Sequence, residues 1–250
     1  MTISYPNKHS WFKKTLPDSL QHYGKNDQRK IKKTLAVQND ANITTAIHAP
    51  NQTFFDWFIP MYNQTISTKE NALVYDIRGT TVDKLDSKYQ YQALTVYEDN
   101  QPVGGCIFSV RPTKLSIAYR IFNRSWKQKN IAASPAIFGE YILDEYAFTQ
   151  GKKHVVHGID RNPYGVNSAI GLCIFKLAVG CRCKIPSTPF EVTSVSLDEI
   201  TQDQLILHMP KNGKRITDAT LLVEPANEHK YEQLFKYPER LQVQTIHRIS

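Results

Sequence analysis

The sequence predicts a mixed α/β (α+β mixed) domain of three layers, with a central mixed sheet flanked by helices, and three observations carry that expectation. Residues 91–122 hold an alternating run, YQALTVYE, and two further strand-like runs, PVGGCIFSV and LSIAYRIF, separated by turn residues. Two segments, near 135–150 and 172–180, are rich in apolar residues at helical spacing, and HVVHGI (154–159) between them reads as a buried strand. A meander followed by helix, strand and helix is the order expected of a sheet covered by helices.

The first element is KNDQRKIKK (25–33), with Lys25, Arg29, Lys30, Lys32 and Lys33 in nine residues. Arg29 and Lys33 share one helical face while Ile31 and Leu35 share another, so the segment predicts an amphipathic helix with a basic outer surface. ANITTAIHAP (41–50) reads as a strand closed by Pro50. FFDWFIPMYNQTI (54–66) reads as a helix with an aromatic core face, which Pro60 is expected to kink or restart.

In the meander, YQALTVYE, PVGGCIFSV and LSIAYRIF are the strands, with DNQ and RPTK as turns. Gly104 and Gly105 inside the middle strand predict a bulge or a close backbone approach. Ser134 then suits an N-cap and Pro135 the first helical position, ahead of Ile137, Phe138, Tyr141, Ile142 and Tyr146, with an end near Gly151. The polar loop DRNPYGVNSAIG (160–171) follows the strand at 154–159. It leads into LCIFKLAVG (172–180), apolar on nearly every face and so expected as a central helix.

Beyond Cys181 the pattern weakens. QLILHMP and ATLLVEP read as a late hairpin, LQVQTIHRI as a terminal strand, and PANEHKYEQLFKYP as room for a short helix. No repeat or Pro/Gly/Ser-rich linker divides the chain. The expectation is one domain, 1–250, with a basic lead-in over 1–50, a core over 51–186 and C-terminal strands over 187–250.

With 41% hydrophobic and 22% charged residues, the composition is that of a globular protein and excludes the disordered and fibrous classes. No window reaches the roughly 18 apolar residues of a membrane span, and MTISYPNKHSWFKK lacks the apolar stretch of a secretory signal, so a cytoplasmic protein is expected. Cys106, Cys173, Cys181 and Cys183 suit reduced packing residues better than a disulfide framework. A formal net charge of +8 favours anionic partners such as nucleotides, phosphorylated sugars, RNA or acidic lipid faces. For the basic helix itself, a solvated face is the plainer reading.

No metal site is expected. His154 and His157 are three apart on a predicted strand and point to opposite faces, and Cys181-Arg182-Cys183 with Cys173 lacks a C-x-x-C spacing.

Three stretches carry a resemblance to a known family: QRKIKKTLAVQNDANITTAIHAPNQTFFDWFIPMYNQTI, LTVYEDNQPVGGCIFSVRPTKLSIAYRIFNRSW and GIDRNPYGVNSAIGLCIFKLAVGC, the last with G-L-x-x-F-K-x-x-x-G. Spread over 25–186, they resemble the GNAT acyltransferase superfamily, and more closely its single-domain FemAB-like branch. The resemblance implies a GNAT-like three-layer domain whose central mixed sheet splays open. The donor then lies in the V between two neighbouring strands, here 115–122 and 154–159. It also implies acyl-coenzyme A (acetyl-coenzyme A) as donor, or aminoacyl-tRNA as in the peptidoglycan-bridge members. One departure stands out: the usual Gln/Arg-x-x-Gly-x-Gly/Ala phosphate loop is absent, and KQKNIAASP (127–135) takes its place. Free N–H groups at that helix start, with Lys127 or Lys129 and Ser134, are then the groups left to meet a donor phosphate.

Acyl transfer needs a deprotonated acceptor, a stabilised carbonyl oxygen and a proton for the leaving group. Asp160 is a candidate general base or an anionic partner that orients the acceptor amine; its plainer role is a loop carboxylate paired with Arg161 or bonding the turn backbone. Tyr164 is a candidate proton donor to the leaving group, or a ring packed over Pro163. Lys176 sits in an apolar helix, where it pairs with a carboxylate, reaches water or meets an anionic ligand. Arg161, Asn162, Asn167 and Ser168 are candidate donor contacts, the asparagines being turn formers first and Ser168 a helix cap first. Arg120 is a candidate for a phosphate or acceptor carboxylate, or faces the surface.

The expected function is transfer of an acyl group from acyl-coenzyme A to the amine of a small acceptor such as an amino sugar or amino acid derivative. The alternatives are aminoacyl transfer from a tRNA partner and a non-catalytic binding module on the same fold.

Overall fold

The structure is a computed structural model that describes residues 2–39, 42–68, 74–81, 90–123, 133–166 and 168–248. Lys127, Lys129 and Asn167 fall outside the described residues. The chain begins with β1 (Thr2–Pro6), β2 (Lys8–Lys14), α1 (Lys25–Val37), β3 (Ile43–His48), α2 (Gln52–Ser67) and α3 (Ile77–Thr81). The meander follows as β4 (Gln90–Glu98), β5 (Gln101–Val110) and β6 (Lys114–Phe122), then α4 (Pro135–Thr149), β7 (His154–Arg161) and α5 (Ile170–Ala178). Six strands complete it: β8 (Arg182–Lys184), β9 (Val192–Ser196), β10 (Gln204–Leu207), β11 (Arg215–Ile216), β12 (Asp218–Val223) and β13 (Gln242–His247), with a 3-10 segment at Pro225–Lys236. The class is the mixed α/β one expected, a large mixed sheet flanked by helices.

Two compact units make up the chain, one of residues 14–157 and the other of residues 1–13 with 158–250. In the first, the strand order is β3-β4-β5-β6-β7, antiparallel throughout except for the parallel β6–β7 pair. Successive residues divide between the two faces of this sheet. Ala93 and Ile107 pack with Phe54, Phe58 and Tyr62 of α2, whereas Leu94 and Phe108 pack with Leu143 and Ala147 of α4. Apolar side chains at successive positions, sent to opposite faces by the two-residue period of a strand, are therefore the origin of the three layers.

The turn at Asp99 and Asn100 has positive φ at both residues, 47° and 61°, the geometry that a two-residue hairpin asks of Asn and Asp. Gly105 is a close approach: a Cβ there would lie 2.2 Å from the Leu94 carbonyl oxygen. α2 runs on through Pro60 as a single helix. The proline removes the amide that would serve the carbonyl of Asp56, yet Phe54, Phe58 and Tyr62 stack in series at 4.8 and 6.3 Å and tie the turns on either side together. α4 starts as expected, with Ser134 Oγ accepting from the Ile137 N–H at 3.3 Å.

The β6–β7 ladder is short. It holds Lys114 to His154, Leu115 to Val155 and Ser116 to Val156 and then stops, although β6 continues to Phe122. Just beyond, β6 carries an irregularity against β5, where Ile107 faces Tyr119 and Phe108 faces Ile117.

In the other unit, β1 pairs with β9, β8 lies between β2 and β11, and β12 pairs antiparallel with β10 and parallel with β13. The expected late hairpin is β10–β12 and the expected terminal strand is β13. The two N-terminal strands are a finding that the alternation of TISYP and KHSWFKK was too short to declare. α5 begins at Ile170, with Ala169 rather than Ser168 at its N-cap and no side-chain cap bond. Ser168 instead uses its backbone carbonyl to accept from the Gly165 N–H, which leaves the cap one residue later.

Candidate active site

Strand β2 buries His9, Ser10, Trp11 and Lys13, and His9 and Trp11, two apart, lie on one face of it. β7 runs two residues further than the sequence predicts, so Asp160 and Arg161 lie at a strand end rather than in a loop. A short loop carries Tyr164, whose N–H and C=O exchange 2.9 Å bonds with Leu205 of β10, and α5 brings in Lys176 on its second turn. All of these belong to the same unit.

The five side chains meet around one hydroxyl and one carboxylate. Tyr164 Oη donates to Asp160 Oδ2 at 2.8 Å and accepts from Trp11 Nε1 at 2.8 Å, with His9 Nε2 at 2.7 Å. Lys176 Nζ pairs with the same Asp160 Oδ2 and lies 5.9 Å from the centre of the Trp11 ring. Tyr164 and His9 are fully buried and Lys176 is 3% exposed.

Proton bookkeeping assigns the imidazole. The tyrosine has a single hydrogen, directed at the ionised Asp160, so His9 Nε2 must be the donor in its contact and Nδ1 carries no proton. His9 Nδ1 is buried with no hydrogen-bond partner among the described residues.

The electrostatics follow from the same contacts. Burial takes the His9 pKa down to about 3, so the ring is neutral at neutral pH. Burial also raises Asp160, but the charge of Lys176 and the hydrogen bonds from Lys176 and Tyr164 outweigh it and hold the carboxyl below the usual carboxylate range. Burial first, and the Asp160 charge second, push the Tyr164 hydroxyl well above an ordinary phenol. Burial likewise raises the Cys173 and Cys183 thiols, and all four cysteines are free and buried.

Asp160 keeps one oxygen open. Lys176 and Tyr164 both use Oδ2, Oδ1 takes no hydrogen bond from a described residue, and the side chain is 14% exposed. The arrangement is a carboxylate locked in its ionised form and presenting one oxygen outward. A carboxylate stabilised in this way accepts a proton poorly and orients a donor N–H well.

Asn162, beside it, is committed to the backbone: its amide donates to Pro6 O at 3.1 Å and Leu207 O at 2.8 Å, and accepts from Leu207 N at 3.2 Å. Arg161 is exposed. Arg120 and Ser134 lie in the other unit, Ser134 as the cap of α4 and Arg120 3.2 Å from Glu140. A cleft of about 540 Å³ opens beside the same loop, lined by Gly165, Ile170, Gly171, Asp203 and Arg248 among others, but none of the five network side chains lines it. Among the described residues no group of His, Cys, Asp and Glu is placed to hold a metal ion, and no helix is long and apolar enough to cross a membrane.

The residues missed by sequence reading are His9 and Trp11. Their only signal is a shared strand face in a segment dominated by lysine, and their partner Tyr164 lies more than 150 residues along the chain.

No family model and no curated protein matches this chain. Among solved structures it is similar to FemX, with a TM-score of 0.52 and 11% identity over 70% of this chain and 59% of that one. Weaker likenesses include L-PGS from Bacillus licheniformis, with a TM-score of 0.44 and 11% identity over 67% of this chain and 49% of that one. A tandem GNAT protein from the clavulanic acid biosynthesis pathway gives a TM-score of 0.41 and 9% identity over 76% and 53%. The chain shares the fold of FemX over most of its length, a statement about architecture alone. It spans about three-fifths of the length of the FemX chain.

Proposed function

We propose that the protein is an acyltransferase that moves an acyl group from an acyl-coenzyme A donor, acetyl-coenzyme A in the first instance, to the amine of a small acceptor. The observation that carries this reading is Asp160, ionised by its pairing with Lys176 and Tyr164 and open at Oδ1, at the end of β7 in a GNAT-like fold. The C-terminal end of a strand is where an open α/β sheet places its ligands.

In this reading Asp160 Oδ1 accepts an N–H of the acceptor and aims the nitrogen lone pair at the thioester carbonyl. The nitrogen adds to that carbon, the carbon–sulfur bond breaks, and the proton lost by nitrogen ends on the departing thiolate. Lys176 and Tyr164 act by holding Asp160, with Tyr164 itself shut off from solvent. An amino sugar or amino acid derivative has the N–H groups that suit Asp160. Thermal unfolding tests the donor: acetyl-coenzyme A should raise the melting temperature in proportion to the logarithm of its concentration, and no shift with any coenzyme A thioester at saturation would sink the proposal.

A second reading, aminoacyl transfer from tRNA, draws on α1, which leaves Lys25, Arg29, Lys32 and Lys33 exposed on one short helix. It requires tRNA binding that weakens steeply with salt, and no binding at low salt would remove it.

A further inference from the structure

A second buried carboxylate, in the unit of residues 14–157, plays no part in the reaction as written. Glu140 of α4 has a side chain only 1% exposed and stands where the β6–β7 ladder has run out. Its Oε2 accepts from Arg120 Nη1 of β6 at 3.2 Å, and its Oε1 lies 2.8 Å from His157 Nε2 of β7, a close ion-pair contact without hydrogen-bond alignment. His157 is the first β7 residue after the last rung, Ser116 to Val156. Each carboxylate oxygen therefore faces a basic side chain of one strand, just where the strands lose their backbone bonds to each other.

The placement of Glu140 is determined from two sides. At the preceding residue, Gly139, a Cβ would sit 2.7 Å from the Phe122 ring, so α4 is pressed against the end of β6. Cys106 faces Arg120 across the β5–β6 register, and burial, with the Glu140 charge adding to it, pushes its thiol up to about 12. A thiol that stays neutral adds no competing anion beside Arg120. A carboxylate this deeply buried is sustained only by partners that remain in place.

We infer that Glu140 is a positioning residue that clamps β6 and β7 at a fixed opening by binding Arg120 with one oxygen and His157 with the other. On the reading that the donor binds against these strands, the clamp fixes the Arg120 and His157 positions of its own unit that the donor meets. Other residues would do the chemistry, and Glu140 would act through the two strands.

The test uses the full chain and the variants Glu140→Gln and Glu140→Ala, read by amide hydrogen exchange in the free protein and by acetyl-coenzyme A binding in calorimetry. Glu140→Ala should speed exchange in residues 117–122 and 155–157 while β4 and β5 keep wild-type rates, and should weaken donor binding by about tenfold to a hundredfold, as misplacement by an ångström does. Glu140→Gln, with one acceptor oxygen and one amide donor, should hold a single strand and give intermediate values in both readouts. A uniform rise in exchange over all five strands would mean plain loss of stability and would overturn the clamp, as would wild-type exchange in both variants. If Glu140→Ala does not fold, Glu140→Gln decides alone, and wild-type exchange at 117–122 overturns the proposal. If the wild type binds no coenzyme A thioester, the donor reading fails while the exchange data still judge the clamp.

Discussion

Each unit of this protein buries a carboxylate, and the two are wired differently. Glu140 turns one oxygen to Arg120 and the other to His157, both of its own unit. Asp160 gathers Lys176 and Tyr164 on a single oxygen and leaves the other outward. A carboxylate with a basic side chain of its own unit against each oxygen serves to hold elements together. One satisfied at a single oxygen is fixed in charge and direction yet still able to bind. The difference lies in valence, since both are largely buried and both have a cationic partner.

Removing the cation from the binding carboxylate should do the most damage. Lys176→Met keeps the length of the side chain but leaves Asp160 buried without its charge partner. Urea unfolding should show a loss of about 3–5 kcal/mol. A loss below 1 kcal/mol would mean that Asp160 is solvated well enough without Lys176, and the contrast with Glu140 would collapse.

Next comes Tyr164→Phe, which removes the hydroxyl shared by Trp11, His9 and Asp160 and strands two buried N–H donors. The expected cost is about 1–3 kcal/mol for each unsatisfied group, measured by the same unfolding curves. Asp160→Asn sharpens the comparison by function: it should raise the acceptor KM and lower kcat/KM by roughly a hundredfold, with donor affinity unchanged. Glu140→Gln should do the reverse, shifting donor affinity and leaving the acceptor KM alone. Equal effects on both substrates from both variants would erase the division of labour.

A smaller effect is set by pH. The folded His9 has its pKa lowered to about 3 from an ordinary 6.5, so between those values the unfolded chain binds a proton that the fold refuses. Its contribution is complete above pH 6.5 and is lost as pH falls, by at most about 1.4 kcal/mol per pH unit. Unfolding free energies at pH 7, 6 and 5 should fall more steeply for the wild type than for His9→Gln, which keeps an N–H donor without titrating. Parallel slopes would place the titration elsewhere. Smallest of all should be Arg161→Ala, exposed at the end of β7, at under about 0.5 kcal/mol in stability.

Much of the fold could be read along the chain. The meander over β4, β5 and β6, the Ser134 cap of α4 and the late β10–β12 hairpin all follow from short-range rules: period-2 alternation, turn residues with positive φ, and a hydroxyl at a helix start. Lys176 was legible too, because a lysine in so apolar a helix needs a partner. β1 and β2 were not. KHSWFKK looks like a basic surface segment, and only β8 and the residues around Tyr164, all far along the chain, turn His9, Trp11 and Lys13 into interior residues.

The sequence by itself determined the three-layer class, the order of its central elements and the loop in which Tyr164 is found. Each of these depends on residues within a few positions of one another. Only the tertiary structure decided that His9 is a donor to Tyr164, that Asp160 keeps one oxygen open, and that Glu140 joins Arg120 to His157. The physical reason is that hydrogen-bond valence is shared among groups as distant as His9 and Tyr164, 155 positions apart, and no local pattern records which lone pair is taken.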